Sequence, residues 1–361
     1  MTAPRTVDIE LTSSCNLRCK YCYLSECRSK RGSDLSTASL LQLVDELGHL
    51  KVLSVTLAGG EPFLRDDLPL LLESIVRNRM RFAVISNGSR ITDALAAQIA
   101  ASGRCDYVQI SLDSAVAEHH DALRGRGSWE AAVAGIRLLQ QYGVRVTSRI
   151  TLTRQNYADL EETVRFLLED LRLPFISTNS AESFGAGQNA EYWRLETSER
   201  EAAIRTLFDL DRRYPNRIKS TAGPHAEAYM WLRMQKAAME KEPPFPYGGR
   251  LCGCGCVFSR LTVRSDGAII PCSMLSDFVL GHIEHDDLQD VWLHHPHLNK
   301  LRERRKIPLS NFPACRHCRY LPYCTGNCPA LAYYETGRLD HPAAQGCLRR
   351  YLAEGGKLPD A

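Results

Sequence analysis

Six short apolar runs, each followed by a segment of helical period, fill the sequence from residue 7 to about residue 180. The runs are Val7–Leu11, Ser54–Ala58, Phe82–Ser86, Tyr107–Leu112, Val144–Leu152 and Phe175–Thr178. Amphipathic stretches lie between them at Ser36–Leu47, Leu68–Arg79, Asp93–Ala101, Ser128–Tyr142 and Tyr157–Leu171. In the first stretch Leu40, Leu41, Val44 and Leu47 share a helical face, and Ser36 stands where an N-cap belongs. Parallel strands need long crossovers, and helices supply them, so the alternation predicts an α/β fold with a parallel sheet. Six units fall short of the eight that close a barrel. The expectation is a partial (β/α)6 TIM-like barrel, with chemistry at the C-terminal ends of its strands.

The remaining sequence is different in kind. Residues 191–250 read as a helical connector, with Ser198-Glu199-Arg200-Glu201 as a capping box and His225–Lys241 as a second helix. Pro243-Pro244-Phe245-Pro246 breaks that pattern. Residues 251–350 are turn-rich and cysteine-rich, with one helix near Leu288–Arg304. Arg302-Glu303-Arg304-Arg305-Lys306 closes it as an exposed helix end, or as a basic patch for an acidic peptide. Residues 351–361 read as a disordered tail.

Composition narrows the class. A formal net charge of +3 gives no argument for nucleic acid or for an anionic membrane surface. No apolar run is long enough to span a bilayer, and the N-terminus has no signal-peptide core, which places the chain in the cytoplasm. In that reducing compartment 14 cysteines point to metal rather than to disulfides.

Three of these cysteines stand immediately after the first apolar run, as Cys15-x3-Cys19-x2-Cys22. Their soft thiolates suit an iron-sulfur cluster or zinc. Three ligands leave one metal position open for chemistry. Cys27 could instead complete a closed electron-transfer cluster or a zinc knuckle, and these residues alone allow both. Polar turns end the following runs: Ala58-Gly59-Gly60-Glu61-Pro62, Ser86-Asn87-Gly88 and Ser111-Leu112-Asp113-Ser114.

In this order and spacing, the cysteine loop and the three turns resemble the radical S-adenosylmethionine (SAM) superfamily. Its C-x3-C-x2-C loop with an aromatic before the last cysteine stands here as Cys15, Cys19, Tyr21 and Cys22. The resemblance implies a [4Fe–4S] cluster on those three thiolates, its open iron chelated by SAM. It implies that Gly59, Gly60, Glu61 and Pro62 meet the SAM amino group, and that Ser86 and Asn87 meet the ribose. Ser111 and Asp113 match the turn after the fourth strand. Arg124 matches a position that contacts the SAM carboxylate or else forms a loop salt bridge.

The C-terminal set reads Cys315-x2-Cys318-x5-Cys324-x3-Cys328, then Cys347, with Cys252, Cys254, Cys256 and Gly267-x4-Cys272 upstream. Paired Cys-x2-Cys elements bring zinc ribbons to mind, but eight of these nine cysteines suffice for two four-thiolate sites. The arrangement resembles the SPASM domain, which carries two auxiliary [4Fe–4S] clusters. That resemblance puts Cys315, Cys318, Cys324 and Cys347 on one of them. Cys272 and Cys328 join two of Cys252, Cys254 and Cys256 on the other, and which two stays open. Three clusters and SAM are therefore the expected cofactors.

Members with a SPASM domain mostly modify peptides, so the implied substrate is a ribosomally made peptide. Thioether or carbon–carbon crosslinking, epimerisation and oxidation all remain. Sulfatase-maturating relatives carry an aspartate directly after the Gly-x4-Cys cysteine. Ser273 stands there in this chain, and Asp277 lies off that position. Cys27, as a hydrogen-atom donor, and Asp277 are the candidate catalytic residues. With the first strand near residue 7, a peptide leader is expected to bind a separate protein or the auxiliary domain. Flavodoxin or ferredoxin is the implied reductant. A small-molecule dehydrogenase, acting on a cyclitol or porphyrin side chain, and a multi-cluster electron carrier are the alternatives.

Overall fold

A computed structural model describes residues 2–24, 32–182 and 192–359. Six parallel strands follow the apolar runs closely: β1 (Thr6–Thr12), β2 (Ser54–Gly59), β3 (Arg81–Ser86), β4 (Cys105–Ser111), β5 (Val146–Leu152) and β6 (Ile176–Ser180). They are hydrogen-bonded in chain order from β1 to β6. Val7, Ile9, Leu11, Leu57, Phe82, Val84, Val108 and Ile110 are buried in the sheet core. Burial of this kind is what crossover helices impose on a parallel sheet.

The helices covering this sheet are α1 (Thr37–His49), α2 (Leu68–Arg77), α3 (Asp93–Ala101), α4 (Ala117–Arg124), α5 (Ser128–Gln141) and α6 (Leu160–Arg165). The Ser36 side chain caps α1 by accepting the Ser39 N–H at 3.0 Å. The buried face of α1 is Leu40, Leu43, Val44 and Leu47, with Leu43 in place of the expected Leu41. Helix α4 escaped the periodicity reading because its sequence, Ala117-Glu118-His119-His120-Asp121, is polar. Its inner face is built from His120, Leu123 and Arg124. The long segment expected over Tyr157–Leu171 is shorter as an α-helix. It opens with a 3-10 turn and ends in a π turn at Phe166–Asp170.

The C-terminal region extends this sheet. Strand β7 (Arg260–Val263) pairs in parallel with β1, from Thr6↔Arg260 to Ile9↔Val263. Strands β8 (Ala268–Ile270) and β9 (Gly281–His282) then continue it in antiparallel fashion, giving nine strands in all among the described residues.

The connector forms α7 (Thr197–Arg213) and α8 (Gly223–Glu240). The capping box uses Glu196 and Glu199 rather than Ser198, with Glu199 accepting the Glu196 N–H at 2.8 Å. Ile204, Phe208, Ala228, Trp231 and Met234 make a second core with Tyr320, Tyr323, Leu348 and Tyr351. Trp231 stacks on Tyr351 with ring centroids 4.7 Å apart.

Two expectations are corrected here. Residues 351–359, read as a disordered tail, are ordered: Leu348–Ala353 is helical, Tyr351 is buried, and Leu358 packs on the second core. The apolar Leu348, Tyr351 and Leu352 supply the driving force for this docking. The helix expected near Leu288–Arg304 is two helices, Leu288–His294 and Pro296–Glu303. Pro296 pushes His295 into an extended conformation and starts the second helix at its N1 position.

Candidate active site

The β1–β2 register shifts between Glu10 and Thr12, at the point where the N-terminal cysteine loop leaves the sheet. Thr12 Oγ1 and the Ser13 N–H both donate to Asp34, at 2.5 and 2.8 Å, and pin the start of the loop. On the other side the Gly60 N–H donates to the Thr12 carbonyl at 2.8 Å, and the Glu61 N–H to the Ser14 carbonyl at 2.9 Å. A Cβ on Gly59 would lie 2.5 Å from the Thr12 carbonyl oxygen, and one on Gly60 2.0 Å from that of Ser14. The two glycines are thus required for the turn to sit against the cysteine loop.

Glu61 is fully buried. Its carboxylate accepts from Ser86 Oγ at 2.8 Å, the Asn87 N–H at 2.8 Å and the Phe63 N–H at 3.2 Å. Burial raises its pKa above the usual carboxylate range, and these three donors offset only part of that rise. Pro62 starts the short 3-10 turn that follows. Asn87 turns toward the loop, donating to Asn16 Oδ1 at 3.0 Å and to Cys15 Sγ at 3.9 Å. One carboxylate therefore ties the β2 turn, the β3 turn and the cysteine loop together.

A second buried carboxylate holds the other side. Asp113, just beyond Ser111 at the end of β4, accepts from Arg124 Nε at 2.5 Å and from the Thr151 N–H at 2.8 Å. The Tyr21 hydroxyl also donates to it. Burial raises the Asp113 pKa, but Arg124, with His120 and Tyr21, more than offsets this and keeps the carboxyl below the usual range. The Arg124 guanidinium stands over the Tyr21 ring and donates to Cys19 Sγ at 3.8 Å. Arg124 thus forms a buried salt bridge with Asp113. Burial pushes the Cys19 thiol up to about 11, with Arg124 lowering it and Cys22, Asp113 and Cys15 raising it further.

The C-terminal cysteines gather in two groups. Cys254 and Cys256 have their sulfurs 2.9 Å apart, and Cys256 also contacts the Cys272 thiol. Cys328 feels the charges of Cys254 and Cys272. Cys252 turns away, its Sγ directed at the Tyr247 carbonyl at 2.9 Å. In the second group Cys324, raised to about 11 chiefly by burial, also feels Cys347, Cys315 and Cys318.

Thiol spacing tests what these groups can hold. Sulfurs around a single zinc ion sit about 3.8 Å apart, given a Zn–S bond of about 2.3 Å. Among the described residues no three cysteine sulfurs lie within 4.8 Å of one another; the one such trio of ligand atoms is His282, Glu284 and His285. Two four-thiol groups and a three-thiol loop, all from soft thiolates, are donor sets that suit iron-sulfur clusters, the three-thiol loop with one position open.

Residues 9–167 match the Radical SAM superfamily profile, and residues 254–319 match SPASM, an iron-sulfur cluster-binding domain. The mycofactocin maturase MftC of Mycolicibacterium smegmatis is 30% identical over 355 residues, covering 95% of this chain and 82% of that protein. The chain belongs to the radical SAM superfamily. Pre-heme d1 synthase of Dinoroseobacter shibae is 29% identical, over 92% of this chain and 84% of that protein. Among solved structures, Streptococcus suis SuiB bound to S-adenosylmethionine superposes with a TM-score of 0.72 at 18% identity. That likeness covers 96% of this chain and 77% of SuiB, and shows the same fold.

In this radical SAM enzyme one of the two candidate catalytic residues is described. Asp277 is exposed, beyond the 3-10 turn at Ser273–Leu275. Cys27 lies outside the described residues. Sequence reasoning missed Asp34, which no local motif marks. It also missed Glu182, two residues past β6, which accepts a hydrogen bond from Gln345 next to the second cysteine group. Burial raises the pKa of Glu182, and Gln345 and Arg200 lower it. A carboxylate following the last parallel strand was the available signal.

His120 was missed as well. It is fully buried, and its Nδ1 accepts the Asp113 N–H at 3.1 Å, which requires a neutral ring. Burial lowers its pKa from 6.5 to about 4. The unfolded chain then binds more protons between these values, so stability falls as pH drops through that window. The expected loss from pH 6.5 to 4 is about 3 kcal/mol. His120→Gln, whose carbonyl can accept the same N–H, should flatten that part of the pH–stability curve in urea titrations. An unchanged slope would refute the assignment.

Proposed function

We propose that the chain modifies a ribosomally made peptide by hydrogen abstraction, using three [4Fe–4S] clusters and SAM. Cys15, Cys19 and Cys22 hold the reactive cluster in this reading. Cys254, Cys256, Cys272 and Cys328 hold auxiliary cluster I, and Cys315, Cys318, Cys324 and Cys347 hold auxiliary cluster II. The observation that carries the reading is the three-thiol loop backed on both sides by buried carboxylates, Glu61 and Asp113. When bound, the cluster and SAM supply a 5′-deoxyadenosyl radical that takes a hydrogen atom from the substrate.

The chain's own groups do the positioning. Glu61 fixes the backbone of Gly59–Pro62 and of Ser86–Asn87, the turns assigned to SAM. Arg124 brings a positive charge to Cys19, which favours the thiolate that a metal requires. In support of a peptide substrate, SuiB has been solved with its precursor peptide SuiA, and MftC is a maturase. Residues 1–190 then form the catalytic barrel and residues 251–350 the auxiliary domain, joined by 191–250. A cytoplasmic setting, a flavodoxin or ferredoxin reductant and a separate leader-binding protein belong to the same reading. The described residues contain no helix long and apolar enough to cross a membrane.

The test is anaerobic incubation of the reconstituted chain with SAM, dithionite and short peptides encoded beside its gene, read by mass spectrometry. Formation of 5′-deoxyadenosine together with a mass change in one peptide is expected. A second reading, oxidation of a porphyrin side chain, has its own support in the likeness to pre-heme d1 synthase. Turnover of a porphyrin with every peptide left unchanged would replace the first reading with the second.

The ligand set makes a separate prediction. Cys254→Ala should remove about four irons per chain, whereas Cys252→Ala should keep full iron content, because its thiol faces a carbonyl. Equal losses from both would show that Cys252 is a ligand.

A further inference from the structure

The basic run Arg302–Lys306 is not the uniformly exposed helix end that its sequence implies. Arg302 lies over Trp292 and Arg305 over Phe258, while Lys306 pairs with Glu303. Arg304 instead points inward and is only 5% exposed. Its Nη2 donates to the His341 carbonyl at 3.3 Å, but its buried Nε has no hydrogen-bond partner. Among the described residues no carboxylate pairs with it; Asp340 is held by Arg338 at 3.0 Å. Arg304 lines a small cavity with Cys252, Cys254 and Pro329, the residue after Cys328. Burial lowers its pKa, and Cys328, Cys254, Cys252 and Asp340 offset only part of that fall.

A guanidinium cannot shed its charge, and a buried one needs an anion beside it. Besides Asp340, which Arg338 holds, the anions in reach among the described residues are thiolates, together with the net charge of any cluster they would hold. Among the described residues the arginines that act on the second cysteine group, Arg349 near Cys315 and Arg350 near Cys347, are both exposed; Arg349 donates to the Ala314 carbonyl and Arg350 pairs with Glu354. Cluster potentials follow net local charge, hydrogen bonds to sulfur and exposure.

We propose that Arg304 raises the reduction potential of auxiliary cluster I and makes it the more readily reduced of the two auxiliary clusters. This rests on the ligand assignment of Cys254, Cys256, Cys272 and Cys328. Charge and an N–H donor both favour the reduced, more negative cluster, so the effect needs no contact with substrate.

The experiment is a redox titration of the full reconstituted enzyme followed by electron paramagnetic resonance, with and without SAM. The wave that moves on adding SAM belongs to the N-terminal cluster. Of the other two, the higher should fall by at least tenfold in the oxidised-to-reduced ratio in Arg304→Gln, about 59 mV for one electron. The lower should stay in place, and Arg304→Lys should restore most of the shift. Two auxiliary waves that do not move, or that move together, overturn the role of Arg304. If Arg304→Gln loses iron, Arg304→Lys decides. Retention of the higher wave supports the proposal, and a wave displaced by tenfold or more despite the kept charge overturns it. Cys254→Ala, measured alongside, separates the two levels. If it removes neither iron nor the higher wave, the ligand assignment fails, and the proposal with it.

Discussion

Asp113→Ala is expected to cost about 3–5 kcal/mol of stability and to strip iron from the N-terminal loop. Asp113 is fully buried and receives Arg124, the Thr151 N–H and the Tyr21 hydroxyl. Alanine leaves the 8% exposed Arg124 with its charge uncompensated and leaves two further donors unpaired. A domain fold is stable by only about 5–15 kcal/mol, so the loss is a large share of the whole. The damage reaches the site because Tyr21 and Arg124 are also the groups that touch the cysteine loop. Asp113→Asn keeps the shape and can still accept the Thr151 N–H, so it should cost less while lowering iron affinity. Urea unfolding of the metal-free chains, followed by iron analysis after reconstitution, checks both. A loss under about 1 kcal/mol in Asp113→Ala would mean that Arg124 finds another anion.

Much of this was legible because it is periodic or local. The six strands follow from apolar runs, and Ser36 from its place before the first helix. The three turns stand out because polar residues end apolar runs there. What periodicity misses is an inner face made of polar groups. Helix α4 buries His120 and Arg124, residues that a hydrophobic pattern assigns to solvent, because Asp113 supplies the partner from another element. Arg304 is the same case in the C-terminal region: its neighbours in sequence are surface cations, and only the fold brings Cys254 and Cys328 to it. Glycines show a related limit. Gly59 and Gly60 stand out in the sequence as a turn, but that the Thr12 and Ser14 carbonyls press on them is visible only in the fold. The choice among Cys252, Cys254 and Cys256 lay beyond spacing, which all three satisfy. It turns on where one side chain points.

Replacing Cys15, Cys19 and Cys22 together with alanine should abolish 5′-deoxyadenosine formation while removing only about four irons per chain. The argument is one of separation. The loop is held from outside by Asp34, by the Gly60 and Glu61 backbone N–H groups, and by the Tyr21 hydroxyl on Asp113. None of these contacts uses a thiol, so the loop keeps its anchors when the sulfurs go. The C-terminal cysteines stand on other elements and retain their own iron. Stability of the metal-free chain should change little, since all three cysteines are only partly buried and alanine leaves their backbone hydrogen bonds intact. Iron analysis, urea unfolding and chromatography of SAM incubations then give three independent numbers. Loss of all iron would show that the N-terminal loop organises the C-terminal groups, and residual 5′-deoxyadenosine would place the reactive cluster elsewhere in the chain. The single variants should each lose activity too, because two thiolates cannot hold the cluster with one position open. Cys19→Ala is expected to be the most damaging of the three, since it alone leaves the Arg124 Nη1 without its sulfur acceptor.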